Sequence, residues 1–205
     1  MPDDTTPSEE IHKDSLSASL AAAGGTPAAG APSVGAGCAD PVAGAVLEKF
    51  AGSVFDESHG QAVVYLDRAH WHDAAAFLRD EQQFTQCVDI AVVDHLADEI
   101  RRSIEGVAPE RFEVVANFLS HPRNRRLRLI CEVPDGDTTV ASITDLYPGV
   151  SFSERESYDL FGITFDGHPD LTRILMPEDW VGYPLRKDDA PGRVPVAFKG
   201  NPSPR

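Results

Sequence analysis

Arg111-Phe112-Glu113-Val114-Val115-Ala116-Asn117-Phe118-Leu119 and Arg125-Arg126-Leu127-Arg128-Leu129-Ile130-Cys131-Glu132-Val133 flank the polar connector Ser120-His121-Pro122-Arg123-Asn124. Two runs rich in β-branched and aromatic residues, joined by a short stretch of turn formers, read as a β-hairpin. The second run alternates, with Leu127, Leu129 and Cys131 on one side and Arg126, Arg128 and Ile130 on the other. Side chains of a strand alternate between faces, so this pattern predicts one buried face and one largely wet face.

Towards the N-terminus, Cys87-Val88-Asp89-Ile90-Ala91-Val92-Val93 predicts a strand within 84–96, and Trp71, Ala74, Ala75 and Leu78 predict a helix over about 70–83. Gln61-Ala62-Val63-Val64-Tyr65-Leu66-Asp67 after Gly60 predicts another strand. Val42, Ala45, Val46 and Phe50 behind Pro41 predict a short helix ending near Gly52. Residues 100–109 carry no usable periodicity. Helix, strand, helix, strand and hairpin add up to a two-layer α+β domain, with helices packed on a mixed, mainly antiparallel sheet. Residues 40–150 form its core.

Residues 1–39 are rich in Ala, Gly, Ser and Pro with few large side chains, and read as a disordered tail. The uncharged run 15–39 holds only Leu16, Leu20 and Val34 as large aliphatics, so it does not read as a membrane span. Asp3, Asp4, Glu9 and Glu10 are the wrong charge for the start of a secretion signal.

The chain has 205 residues and a formal net charge of -15, with 6 basic and 19 acidic side chains in residues 1–110 against 12 and 14 in residues 111–205. An acidic body repels nucleic acid and anionic lipid, and the nearly neutral half is the better docking half. Cys38, Cys87 and Cys131 lie too far apart for a disulfide framework or a zinc or iron-sulfur spacing. No G-x-G-x-x-G, G-x-x-x-x-G-K-[ST] or G-x-S-x-G occurs.

Ser151-Phe152-Ser153-Glu154 has the spacing of a capping box and Gly162 suits a left-handed helix end, predicting a helix over about 152–161. Glu154 and Glu156 then diverge by about 200° and cannot share a substrate. Arg155 and Asp159 are at i,i+4 in the weaker order, a local pair of only a few tenths of a kcal/mol. Seven prolines follow Gly162, interspersed with Leu171, Ile174, Leu175, Met176, Trp180, Leu185 and Phe198. Residues 151–205 therefore read as a docking helix and an extended Pro-rich arm with apolar anchors. His168-Pro169-Asp170 reads as a rigid corner rather than a metal or catalytic group, and His70 and His72 diverge on their helix. Arg123, Arg125, Arg126 and Arg128 are the one basic cluster, suited to acidic groups on a partner or within the chain.

Glu154-Arg155-Glu156-Ser157-Tyr158-Asp159-Leu160-Phe161-Gly162-Ile163, then Gly167-His168-Pro169-Asp170-Leu171-Thr172-Arg173-Ile174-Leu175, then Gly182-Tyr183-Pro184-Leu185-Arg186-Lys187-Asp188, lie in order over about 151–189. Together they closely resemble the 30 kDa family of proton-pumping NADH:quinone oxidoreductase, respiratory complex I. Two positions depart from the family pattern, which usually has Arg at Thr172 and His at Tyr183.

The resemblance implies the same α+β architecture and a peripheral-arm subunit, on the cytoplasmic side of a bacterial cell membrane. It implies docking beside the large quinone-site subunit and the iron-sulfur subunits, with FMN and the clusters held by other chains. Neither a catalytic, a cofactor nor a metal residue is expected here. The implied docking residues are Glu154, Arg155, Glu156, Asp159, His168, Asp170, Arg173, Trp180, Arg186, Lys187 and Asp188, with Arg155 reaching carboxylates across a subunit boundary. Two alternatives stand beside this reading: the equivalent subunit of a membrane-bound hydrogenase or related electron-input complex, and a stand-alone hydrolase using Glu154, Glu156, His168 or Asp170.

Overall fold

The computed structural model describes residues 40–189, so the expected disordered tail over 1–39 and the prolines from Pro191 onward lie outside the described residues. Helix α1 (Pro41–Lys49) begins where Asp40 accepts from the N–H of Val42 and Ala43 at 2.9 and 3.1 Å, with Pro41 in the first turn. β1 (Val54–Ser58) and β2 (Gln61–Leu66) form a hairpin whose two turn residues, His59 (φ 54°) and Gly60 (φ 73°), are both left-handed. That turn matches the twist of its strands. β1 carries Asp56 and Glu57 within only five residues, and sequence reasoning passed over it.

After α2 (Trp71–Asp80) come β3 (Gln86–Asp94), β4 (Phe112–Ser120) and β5 (Arg125–Val133). The five strands lie in the order β1-β2-β5-β4-β3, antiparallel except for the β2–β5 pair. The fold class is the α+β sheet with helices that the alternation predicts.

On the front face, Leu127, Leu129, Cys131 and Val133 of β5 and Phe112, Val114, Ala116 and Phe118 of β4 are buried, packed with Val42 and Val46 of α1 and Trp71, Ala74 and Leu78 of α2. The back face is less wet than expected, since Val63 and Ile130 are buried there too. The segment 95–111 lies across that face, and Arg101 fastens it by donating to Glu113 at 2.6 Å and Glu132 at 2.5 Å.

Beyond the hairpin, β6 (Thr139–Ala141), α3 (Ser151–Phe161) and β7 (Thr164–Asp166) complete the body, with β6 and β7 paired in parallel. Ile163 and Phe165 sit in the same core as α1 and α2. The compact body therefore runs on through Asp166, past the boundary at 150 drawn from the sequence. Residues 167–189 hold turns and bends but no helix or strand, and we call them the strap.

Candidate docking surface

Ser151 does not cap α3. The 3-10 turn Pro148–Val150 runs straight into the helix, so Ser151 already has helical angles (φ -53°, ψ -39°) and Val150 occupies the cap position with no side-chain bond. A capping residue needs extended angles to turn its oxygen onto the helix N–H groups. Ser151 Oγ lies instead 3.1 Å from His168 Nε2, while Asp170 donates its N–H to His168 Nδ1 at 3.0 Å. His168 is thus held at both ring nitrogens, which fixes the corner entering the strap.

Freed from a capping role, Glu154 points inward and is completely buried. It accepts from the Ser142 hydroxyl at 2.6 Å and the Ile143 N–H at 2.9 Å. Burial pushes its carboxyl above the usual glutamate range, and those two donors only partly offset this. A raised folded-state value means that Glu154 favours folding when protonated, and that this contribution is lost as pH rises through the folded value. Glu154→Gln keeps the shape and removes the titration. The variant is expected to gain stability relative to the parent as pH rises from the acidic side to neutrality, read by paired thermal melts. Comparing the pair cancels Asp94, Asp159 and Asp188, whose lowered values act in the opposite direction.

Asp159 is also completely buried and does not meet Arg155. Its Oδ2 accepts from the N–H groups of Ile174, Leu175 and Met176 at 2.9, 2.7 and 2.8 Å. Oδ1 accepts from Arg173 Nη1 at 2.7 Å. Burial alone would raise this carboxyl, but three backbone donors and the guanidinium outweigh it and hold it below the usual range. Arg155 reaches over the strap and donates to Thr172 O, Thr172 Oγ1 and Arg173 O at 3.1, 2.9 and 3.1 Å. Glu154 and Asp159, expected at a subunit boundary, are therefore enclosed by their own chain, Glu154 against Ser142 and Ile143 and Asp159 beneath the strap. Glu156 is exposed on the same helix.

A second fastening lies further along. Arg111 donates to Asp94 at 3.1 Å and to both oxygens of Asp188 at 2.5 and 3.0 Å. Asp94 Oδ2 accepts in addition from the Lys187 N–H at 2.8 Å. Leu185 N–H bonds to Leu160 O at 3.1 Å, and Arg186 Nε bonds to Phe161 O at 2.5 Å with its guanidinium over the rings of Phe112 and Tyr183.

Gly162 makes this closure possible. It sits at φ 73°, and a Cβ there would lie 2.6 Å from the Tyr183 ring and 2.8 Å from Arg186 Nη2. At the two positions expected to depart from the family pattern, Thr172 binds Arg155 and the Tyr183 ring faces Arg173 and Arg186.

These bonds fix the strap's backbone and leave several of its large side chains facing outward, while Leu171 packs against the core. Val181 is 92% exposed, Leu175 59%, Leu185 48% and Trp180 38%, while Phe152 on α3 is 64% exposed. Side chains this apolar, held on a fixed backbone, make a surface suited to a partner. Asp170, Lys187 and Asp188 are exposed beside them. Among the described residues no group of three His, Cys, Asp or Glu side chains could hold a metal ion.

The family described as "Respiratory-chain NADH dehydrogenase, 30 Kd subunit" matches residues 64–193. The chain belongs to that family. The match runs from inside β2 through the hairpin and α3 and over the whole described strap. An NADH-quinone oxidoreductase subunit of Geobacter sulfurreducens is 41% identical over 158 residues, 75% of this chain and 91% of its own length. Its counterpart from Nocardioides sp. is 44% identical over 147 residues, covering 71% of this chain and 55% of the relative. This chain thus spans most of the first relative and about half of the second. A trypsin-resistant fragment (1-134) of Nqo5 superposes with TM-score 0.54 at 33% identity, over 62% of this chain and 94% of that one. A chain of the membrane-bound sulfane sulfur reductase, an archaeal respiratory membrane complex, has the same fold at TM-score 0.51 and 20% identity, covering 70% of this chain and 81% of that one.

Of the residues that build this surface, Asp94 and Arg111 escaped sequence reasoning. They are 17 residues apart and joined to Asp188 only by the fold. Val181 also escaped, as a lone valine between Trp180 and Gly182 offers no period to read.

Proposed function

We propose that this chain is a non-catalytic scaffold of NADH:quinone oxidoreductase, holding the large quinone-site subunit beside its iron-sulfur neighbours on the cytoplasmic side of the membrane. NADH, FMN, the clusters and quinone are handled by other subunits. The observation that carries this is the strap, whose backbone is fixed by Asp159 of α3 while Leu175, Trp180, Val181 and Leu185 project outward. Membership of the 30 kDa family supports it. Among the described residues no helix is long and apolar enough to cross a membrane, in keeping with attachment through other subunits.

A hydrolase built on Glu154, Glu156, His168 or Asp170 fits poorly. Glu154 is sealed from solvent, and both ring nitrogens of His168 are occupied within the chain. General acid-base work needs such groups within reach of a substrate.

Native purification of the tagged chain from membranes tests the proposal. NADH-oxidising activity with a quinone acceptor is expected to copurify, and the separated chain should carry no flavin, iron or zinc. Copurification with hydrogenase subunits, or stoichiometric metal in the separated chain, would overturn it.

A further inference from the structure

The β4–β5 hairpin tip points to a second docking site, one that answers charge rather than apolar surface. Among residues 40–189 there are 28 acidic and 14 basic side chains by count of the sequence, and four of the bases, Arg123, Arg125, Arg126 and Arg128, fall within six positions. Elsewhere the bases are mostly paired: Lys49, Arg68, Arg79, Arg101, Arg102, Arg111 and Arg173 each meet a carboxylate. At the tip only Arg125 does so, at 3.2 Å from Asp40. Among the described residues the side chains of Arg123 and Arg126 have no carboxylate within ion-pair distance, and Arg128 bonds to the neutral Asn117. In a domain with twice as many acids as bases, leaving the Arg123 and Arg126 guanidinium groups without a carboxylate suits an acidic partner.

The tip is also built to hold those charges apart from the body. Asn124 turns the chain at φ 48°, and Ser120 Oγ accepts from the Arg123 N–H at 3.4 Å, closing the turn. His121 Nε2 lies 3.2 Å from Gln86 Oε1 on the neighbouring strand. A cleft of about 550 Å³ opens between this tip and the β1–β2 turn, lined by Arg125, Arg126, His121, Asn124 and Gln61, with Asp40 as its one acidic residue. Guanidinium groups bind carboxylates through paired N–H donors, and the surrounding Asn124 and Gln61 amides supply further donors for the remaining oxygens.

We propose that this cleft receives an acidic segment of a neighbouring polypeptide in the assembled complex, pairing its Asp or Glu side chains with Arg126 in the cleft and with Arg123 on the adjoining turn. The inference rests on the scaffold reading for the existence of a complex, but assigns a site and a ligand chemistry to a part of the chain remote in sequence from the strap. A lipid surface fits less well, since the tip offers no exposed large apolar side chain to insert and the domain as a whole is acidic. A nucleic acid fits less well again, because no aromatic platform accompanies the arginines.

The test uses the whole complex in membranes. Arg123→Lys and Arg126→Lys keep the charge and supply amines that a carbodiimide can couple, without a spacer, to a carboxylate in direct contact. The expected result is a coupled peptide joining position 123 or 126 to an Asp or Glu of another subunit, identified by mass spectrometry. That product should fall at least tenfold when coupling is done in 1 M salt, roughly where the Debye length shrinks to about 3 Å. Arg123→Glu/Arg126→Glu should lower the amount of assembled complex while the isolated chain melts as the parent does. Couplings confined to this chain's own carboxylates, or none, with NADH:quinone activity still copurifying, would overturn the inference and leave the scaffold reading standing. Binding of the isolated chain to phosphatidylglycerol vesicles, abolished by the Glu pair and unaccompanied by intersubunit coupling, would overturn it in favour of lipid. Failure of any complex to copurify would instead remove the scaffold reading itself.

Discussion

Asp159→Ala should detach the strap from α3 and destabilise the chain by about 3–5 kcal/mol, the range for removing one partner of a buried ion pair. The substitution strips the acceptor from three consecutive backbone N–H groups and leaves the Arg173 guanidinium, itself mostly covered, without its carboxylate. Hydrogen exchange should report the change locally: the amides of Ile174, Leu175 and Met176 lose protection, while those of β4 and β5 keep theirs until global unfolding. Asp159→Asn is the informative control, since its one remaining oxygen can accept for part of the set and its amide cannot accept at all. An intermediate loss is expected from it. If Asp159→Ala left both the melt and the exchange unchanged, the strap would be held by its other bonds, to Arg155, Leu160, Phe161, Asp94 and Arg111. The pH dependence has a definite sign, because the lowered folded-state value of Asp159 contributes stability above the ordinary aspartate range and loses it as pH falls through the folded value.

The same residue shows where sequence reasoning reaches its limit. Asp159 has Arg155 one turn away, and local rules offer that pair as its partner. The fold instead brings in Arg173 and three amides from 14 to 17 residues on, which satisfy a buried carboxylate better than one exposed cation could. By contrast, β5 was legible because its period of two is dictated by the backbone, whichever strands lie beside it. Leu127, Leu129 and Cys131 are buried together as the alternation requires. Ile130, on the opposite side of β5, is buried for a reason no pattern in β5 contains: the aperiodic segment 95–111 folds back over it. Ser151 and Glu154 failed as a capping box for a related reason. The motif specifies spacing, but Pro148-Gly149-Val150 had already begun the turn, leaving Ser151 no extended conformation in which to cap. The docking residues divide along the same line. The apolar anchors Leu175, Trp180 and Leu185 stand out as large side chains in a Pro-punctuated stretch, whereas Asp94 and Arg111 belong to two different strand ends and become a site only when Asp188 reaches them.

Val181→Asp/Leu185→Asp separates docking from folding most sharply. Both side chains already face water, so the isolated chain should melt within about 0.5 kcal/mol of the parent, as surface substitutions usually do. In the complex the same two positions would place carboxylates where an apolar contact is expected. Central apolar residues of an interface commonly cost about 2 kcal/mol or more each when lost, and every 1.4 kcal/mol is about tenfold in affinity. The expected outcome is a fall of at least tenfold in assembled complex recovered from membranes, with NADH oxidation per assembled complex close to the parent value. Asp159→Ala should lose assembly too, but with a damaged fold, so the pair of variants distinguishes the surface presented by the strap from the bonds that present it. Normal assembly with abolished turnover would mean that Val181 and Leu185 act on the reaction itself, and the scaffold assignment would fall. A loss of assembly confined to Arg123→Glu/Arg126→Glu, with the apolar pair behaving as the parent, would place the binding energy at the hairpin tip and leave the strap as a covering for α3.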